Sequence, residues 1–227
     1  MIKPSRVADV IEWVESTRMA QGGPGVAERG TVVPWLLAHQ MQKGRFVGHF
    51  APDEAEGNQA VRLFTGEWLR TKQAARNVLT MQAVRALHEL DPEDEPVRLA
   101  IHRAAKSLER TCFAARHCTE GECAISFIEY LLFLRTVGGG EADADVAWRL
   151  QTVCRHRDGT GRWIRLPFYY TLHVLLEIGT TEARQELEYA QIACGRVRHR
   201  RHTAEPYATR RRETVRRTLE MRPCSLR

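Results

Sequence analysis

The chain lacks the marks of several protein classes. Met1-Ile-Lys-Pro-Ser leads into mixed polar and apolar residues, without a basic segment and apolar core behind it, so no secretory leader is expected. The strongest apolar runs, 124–137 and 166–178, are short and carry Glu129 and Glu177, so no transmembrane segment is expected. The cysteines, Cys112, Cys118, Cys123, Cys154, Cys194 and Cys224, are too unevenly placed for a secreted disulfide framework. Reduced thiols and a cytoplasmic setting are the expectation. No stretch alternates polar and apolar residues over a useful length, which argues against a substantial β-sheet.

What remains is helical periodicity. A chain of 227 residues with ordinary hydrophobic content can bury one core or a row of small helical units. Residues 5–19 place Val7, Val10, Ile11 and Val14 on one face, with Ser5 as cap and Gly22-Gly-Pro-Gly25 as terminator. Residues 31–43 predict a second helix that begins near Pro34, because proline is tolerated in a first turn. Residues 58–64 predict a short helix, and 73–90 a long one with Val78, Met81, Val84, Leu87 and Leu90 inward. Beyond the acidic connector 91–96, helices are expected over 97–115, 124–137, 141–156, 167–178 and 182–195, with a basic helix or tail over 204–221. The 124–137 helix is apolar almost all round and should lie buried between neighbours. The fold class is all-α. The formal charge of +6 is concentrated after Gly195, dividing the chain into a helical domain, 1–195, and a basic C-terminal helix or tail, 196–227.

Thr65-Gly-Glu-Trp-Leu-Arg70 recurs as Thr160-Gly-Arg-Trp-Ile-Arg165, and Thr119-Glu-Gly-Glu-Cys-Ala124 stands between them. The spacing of the last two suits tandem helical hairpins that bury their apolar helices only by stacking. In this reading glycine permits the reversal and the aromatic side chain plugs the junction.

Trp35-Leu-Leu-Ala-His-Gln-Met-Gln-Lys-Gly-Arg-Phe46, with a looser copy around Trp148-Arg-Leu150 and Arg157-Asp-Gly-Thr-Gly-Arg-Trp163, resembles the glutamine- and tryptophan-containing repeat of the terpenoid cyclase and protein prenyltransferase superfamily. The resemblance covers about residues 32–190. It implies tandem hairpins in an α/α toroid or partial toroid around an apolar cavity for an isoprenoid. If the chain is catalytic, it implies prenyl-transfer or terpenoid-type chemistry. Trp68, Phe127, Tyr130, Trp163, Phe168, Tyr169, Tyr170 and His173 are the candidate ligand-binding residues, the aromatic faces suiting a carbocation or polyprenyl chain.

The superfamily's chemistry is not carried over. Squalene-type cyclases use an Asp-x-Asp-Asp acid, and the nearest segments here, Asp91-Pro-Glu-Asp94 and Asp143-Ala-Asp145, read as solvated or helix-capping carboxylates. Prenyltransferases use a zinc ion held by Asp, Cys and His. The grouping Cys112, His117, Cys118 and Cys123 lacks a Cys-x-x-Cys pair, so no metal site and no cofactor are expected. Catalytic residues stay unassigned.

The alternative is a noncatalytic helical scaffold binding protein or nucleic acid through a concave face or its basic tail. There Arg196, Arg198, His199, Arg200, Arg201, His202, Arg210, Arg211, Arg212, Arg216 and Arg217 could neutralise phosphates or an acidic surface. A homo-oligomer is a further expected partner arrangement.

Overall fold

The computed structural model describes residues 6–21, 23–50, 61–198 and 205–221. Apart from one hairpin of two-residue strands, β1 (Val61–Arg62) and β2 (Trp68–Leu69), its regular structure is helical. The chain divides into two compact units, residues 1–61 with 68–118, and residues 62–67 with 119–227.

In the first unit, α1 (Val7–Gln21) and α2 (Val26–Ala38) precede the hairpin, and α3 (Lys72–Leu90), α4 (Glu95–Leu108) and the short α5 (Cys112–Arg116) follow it. Every position from Asn77 to Leu87 is buried, so α3 is the central element, and α1, α2 and α4 pack on it. Val7, Val10, Ile11 and Val14 are buried as the periodicity requires. Thr71 begins α3 by accepting the Ala74 N–H at 3.2 Å, satisfying one of the first-turn donors. Buried charge on α3 is paired: Arg85 lies 3.5 Å from Glu15 of α1.

Two of the expected helices, 31–43 and 97–115, differ from the structure. α2 begins at Val26, with Pro34 inside it, because the Glu28 carboxylate accepts the Gly25 N–H at 3.1 Å and fixes an earlier start. It ends at Ala38, where His39 stacks on Trp35 with ring centroids 3.7 Å apart. The expected 97–115 helix is split into α4 and α5 by a break after Leu108, where the Thr111 hydroxyl donates to the Leu108 carbonyl at 2.6 Å. Such a side chain competes with the helical ladder. Part of the expected 58–64 helix lies outside the described residues, as does Ser5. Val61–Arg62 is strand.

The second unit holds α6 (Cys123–Gly138), a 3-10 turn (Gly139–Ala142), α7 (Asp143–Arg155), α8 (Phe168–Ile178), α9 (Thr181–Val197) and α10 (Tyr207–Glu220). α8 is its central helix, packed by α6, α9 and α10, and α7 joins α6 and α9. Leu172, Val174 and Leu175 are fully buried. Thr180 caps α9 by accepting from Ala183 N–H at 3.4 Å. The basic C-terminal segment contains a packed helix, with Ala208, Val215 and Thr218 of α10 in the core. By length and composition the helical run from Cys123 to Arg155 is apolar enough to cross a membrane; half of its most apolar window, of mean hydropathy 1.2, is buried within the protein.

The sequence echo has a structural counterpart. In three places a glycine at φ near +90° sits two residues before an aromatic that joins an antiparallel pairing: Gly48 before Phe50, Gly66 before Trp68 and Gly161 before Trp163. Each glycine presses on a helix. A Cβ would come within 2.5 Å of the Arg103 carbonyl oxygen at Gly48, 2.7 Å of the Tyr207 ring at Gly66 and 2.8 Å of Ala193 N at Gly161. Neither the backbone conformation nor the space admits a larger residue. Two expected members are corrected. Gly44 of the Gly44-Arg-Phe46 copy is open, and the pressed turn lies four residues later. Thr119–Ala124 is not such a turn: Gly121 meets nothing within 4 Å, and Cys123 opens α6.

Candidate functional site

The expected ligand-binding aromatics in the second unit are packed side chains. Phe127 is fully buried, and Tyr130, Trp163, Phe168, Tyr170 and His173 are nearly so. The polar atoms of Tyr170 and Trp163 bond inward. The Tyr170 hydroxyl donates to Glu129, a wholly buried carboxylate of α6. Trp163 Nε1 donates to Glu186 Oε2 at 2.9 Å, and Glu186 also takes two hydrogen bonds from Arg157 at 3.0 and 3.2 Å. The His173 ring stacks on Phe64 with centroids 5.0 Å apart, and Tyr130 stacks on Phe133 at 5.7 Å. Trp68, in the first unit, is not the buried plug that the repeat suggests, being 45 % exposed. Its neighbour on β2, Leu69, supplies the buried side chain instead, as alternation along a strand dictates.

The turn 158–163 is self-stabilised. Asp158 accepts from Thr160 N–H at 2.7 Å and Arg162 N–H at 3.1 Å, and Tyr189 donates to it at 3.1 Å. These bonds, the Thr160 N–H foremost, hold the Asp158 carboxyl below the usual carboxylate range. Its carboxylate is therefore occupied in forming the turn.

A polar grouping in the second unit surrounds residues 64–67. Arg210 of α10, only 6 % exposed, donates to the Phe64 carbonyl at 3.1 Å and lies over the Phe64 ring at 4.3 Å. Arg211 donates to the Thr65 carbonyl at 2.6 Å, approaches Glu67 at 3.9 Å and covers the Tyr169 ring at 4.8 Å. Burial pushes the Glu67 carboxyl above its ordinary value, against the opposing pull of the Thr65 hydroxyl, the Arg211 charge and the Tyr170 backbone N–H. That N–H lies in the first turn of α8, where an acceptor is favoured. This grouping sets the Glu67 carboxyl beside a fixed guanidinium. Structurally, it ties the 64–67 tip to α8 and α10. Sequence reasoning singled out neither Glu67 nor the buried acids Glu129 and Glu186 as site members. A carboxylate inside an otherwise apolar helix face was the available signal, since such a charge requires a partner.

None of the expected ligand-binding residues lines either of two surface clefts found among the described residues of the second unit. One, of about 560 Å³, is lined by residues that include Arg135, Asp143, Gly179, Thr180, Glu182 and Arg184, with Arg135 paired to Asp143 at 3.0 Å. The other, of about 470 Å³, is lined by Arg198, Thr209, Arg212, Glu213, Val215, Arg216 and Leu219. In the first unit, the sulfurs of Cys112 and Cys118 lie within 4.8 Å of each other, a grouping for which the sequence predicted no metal.

The fold and these sites define a helical protein built partly on pressed glycine turns. No family model, no curated protein and no solved structure matches the chain.

Proposed function

We propose that the chain is a noncatalytic helical scaffold that binds nucleic acid through the arginine-rich surface of α10 and the end of α9. The supporting observation is the cleft in which Arg198, Arg212 and Arg216 rim the apolar Val215 and Leu219, with Glu213 the one acid. It belongs to a segment, 196–227, with eleven arginines and three glutamates. The remainder of the chain is thus net acidic, which concentrates attraction for polyanions on this surface.

The outward arginines are held by carboxylates: Arg212 by Glu205 at 3.2 Å, Arg216 by Glu213 at 2.6 Å and by Glu220, and Arg217 by Glu177 at 3.3 Å. Such exposed pairs contribute only about 0–1 kcal/mol each, so phosphates displace the carboxylates at small cost and gain forked guanidinium bonds. His199, Arg200, Arg201 and His202 lie outside the described residues.

The test is anisotropy titration of DNA and RNA oligonucleotides against salt. If Arg198, Arg212 and Arg216 each neutralise one phosphate of duplex DNA, their joint replacement by Gln lowers the steepness of the log–log salt dependence by roughly 3. An unchanged slope and affinity would remove the proposal. Point variants are preferable to deletion of 196–227, because α10 supplies core residues and the Arg210 anchor.

A second reading rests on the threefold recurrence of the pressed Gly-x-aromatic turn, which supports the likeness to the terpenoid cyclase and prenyltransferase superfamily and with it isoprenoid binding. Its apolar ligand has to open a space among packed aromatics such as Phe127 and Tyr170. Mass spectrometry of the intact protein with polyprenyl diphosphates tests it, and failure to retain any at high concentration argues against it.

A further inference from the structure

In the first unit, Gly48 seats the segment after α2 on α4, and Thr80 of α3 accepts the Phe50 N–H at 3.0 Å. Phe46, half-buried in this segment, lies under the Arg76 guanidinium of α3, 3.5 Å from the ring centroid. Exposed Arg45 lies over the same ring at 5.5 Å. The ring quadrupole attracts each cation, but it does not cancel the repulsion between them. Arg76 is accordingly held below its ordinary pKa, by burial first and the Arg45 charge second. Other arginines of this unit are answered by acids: Arg6 by Asp9, Arg18 by Glu89, Arg85 by Glu15 and Arg98 by Glu93. Among the described residues no carboxylate pairs with Arg45 or Arg76, although residues 1–195 are net acidic. His49 stands edge-on to Phe46, with centroids 6.1 Å apart, and its Nδ1 is 3.3 Å from Thr80 Oγ1. Burial, then the Arg76 charge, lowers its pKa to about 4, so it adds no third charge at neutral pH.

We propose that Arg45 and Arg76, gathered over Phe46, bind a phosphate dianion, either inorganic phosphate or the head of a small phosphate monoester. Guanidinium forks match phosphate oxygens two at a time. A dianion neutralises both arginines at once and turns their repulsion into shared attraction. A phosphodiester brings a single charge and leaves one arginine unanswered. Stacking on Phe46 restrains the Arg76 side chain before the anion arrives, which lowers the ordering cost of binding. Arg45, exposed to solvent, supplies the second fork.

The experiment is calorimetric titration of the full chain with sodium phosphate, phenyl phosphate and dimethyl phosphate at constant ionic strength. A pH of about 7.5 keeps the first two mostly dianionic, since the second phosphate pKa is about 6. One saturable site per chain is expected for phosphate or phenyl phosphate, and the tighter of the two shows whether the free ion or the monoester is preferred. R45Q and R76Q should each weaken binding roughly 10–100-fold, through loss of a charge-assisted hydrogen bond. K43Q removes a charge from the same segment without touching the ring pair and should cost no more than about fivefold. Joint R198Q, R212Q and R216Q replacement, which tests nucleic-acid binding by α9 and α10, should leave phosphate affinity intact, so the two readings fail separately. Circular dichroism checks the fold, and exposed Arg45 keeps the test decisive if R76Q unfolds. Absence of saturable binding by both dianions, equally tight binding of dimethyl phosphate, unchanged affinity in folded R45Q, or an equal loss in K43Q would each overturn the assignment.

Discussion

Gly48→Ala should be among the most damaging small substitutions in the first unit. The residue has φ +87°, and the added Cβ meets the Arg103 carbonyl oxygen at 2.5 Å and carbon at 2.9 Å. The obstacle is the backbone of α4, which cannot swing aside as a side chain would. The same turn is fastened by Gln40, whose Nε2 donates to Gly48 O at 3.0 Å and Ala100 O at 2.7 Å, and by Phe50 N–H on Thr80 Oγ1 at 3.0 Å. A non-glycine residue at positive φ costs about 1–2 kcal/mol. Overpacking a tight contact adds about 1–3 kcal/mol, for a total loss of roughly 2–5 kcal/mol. Gly44 provides the control: its φ is +85°, but nothing lies within 4 Å of its Cβ position, so Gly44→Ala should show the conformational part alone, about 1–2 kcal/mol. Equilibrium urea unfolding followed by circular dichroism measures both. Equal losses in the two variants would refute the steric argument, and a loss below about 0.5 kcal/mol in Gly48→Ala, the scatter of ordinary surface changes, would refute the turn's structural role.

Other consequences are equally direct. His49 is buried, and burial first and the Arg76 charge second lower its pKa from 6.5 to about 4. Its contribution is therefore fully present above pH 6.5 and is lost as pH falls toward about 4, where the unfolded chain binds the proton first. In H49Q the urea midpoint should fall less over that window, and parallel profiles would contradict this. Tyr170→Phe removes a donor from buried Glu129 and should cost about 1–3 kcal/mol by thermal or urea unfolding. Glu186→Gln disrupts the acceptor shared by Arg157 and Trp163 and should cost on the order of 1.5–3 kcal/mol, with altered tryptophan emission. Neutral behaviour of either variant would mean that these networks do not fasten α8 and α9 as their geometry indicates.

Much of the helical order is written in local chemistry. The spacing of Val7, Val10, Ile11 and Val14 defines α1, and the near-uniform apolarity of 124–137 foretells burial. Pro34 misleads because a local rule favours first-turn placement, while Gly25 and Glu28 secure an earlier start. Thr111 interrupts a pattern that is periodic across the break.

The site was less legible. That Trp163 would plug a junction was readable, but not that its indole would settle on Glu186, 23 residues away, nor that Tyr170, expected to face a ligand, would be core with its hydroxyl on Glu129, 41 residues away. Sequence by itself determined the all-α class, the Gly-x-aromatic recurrence and the charge of the C-terminal segment, because these depend on periodicity and composition. Tertiary structure alone decided that Gly48 and not Gly44 is the pressed glycine, that Trp68 is half exposed and Trp163 buried, and that Arg210 and Arg211 anchor residues 64–67 while Arg212 and Arg216 rim a cleft. Adjacent residues of identical type acquire different roles there because successive helix positions point about 100° apart, and only packing fixes which direction faces the core.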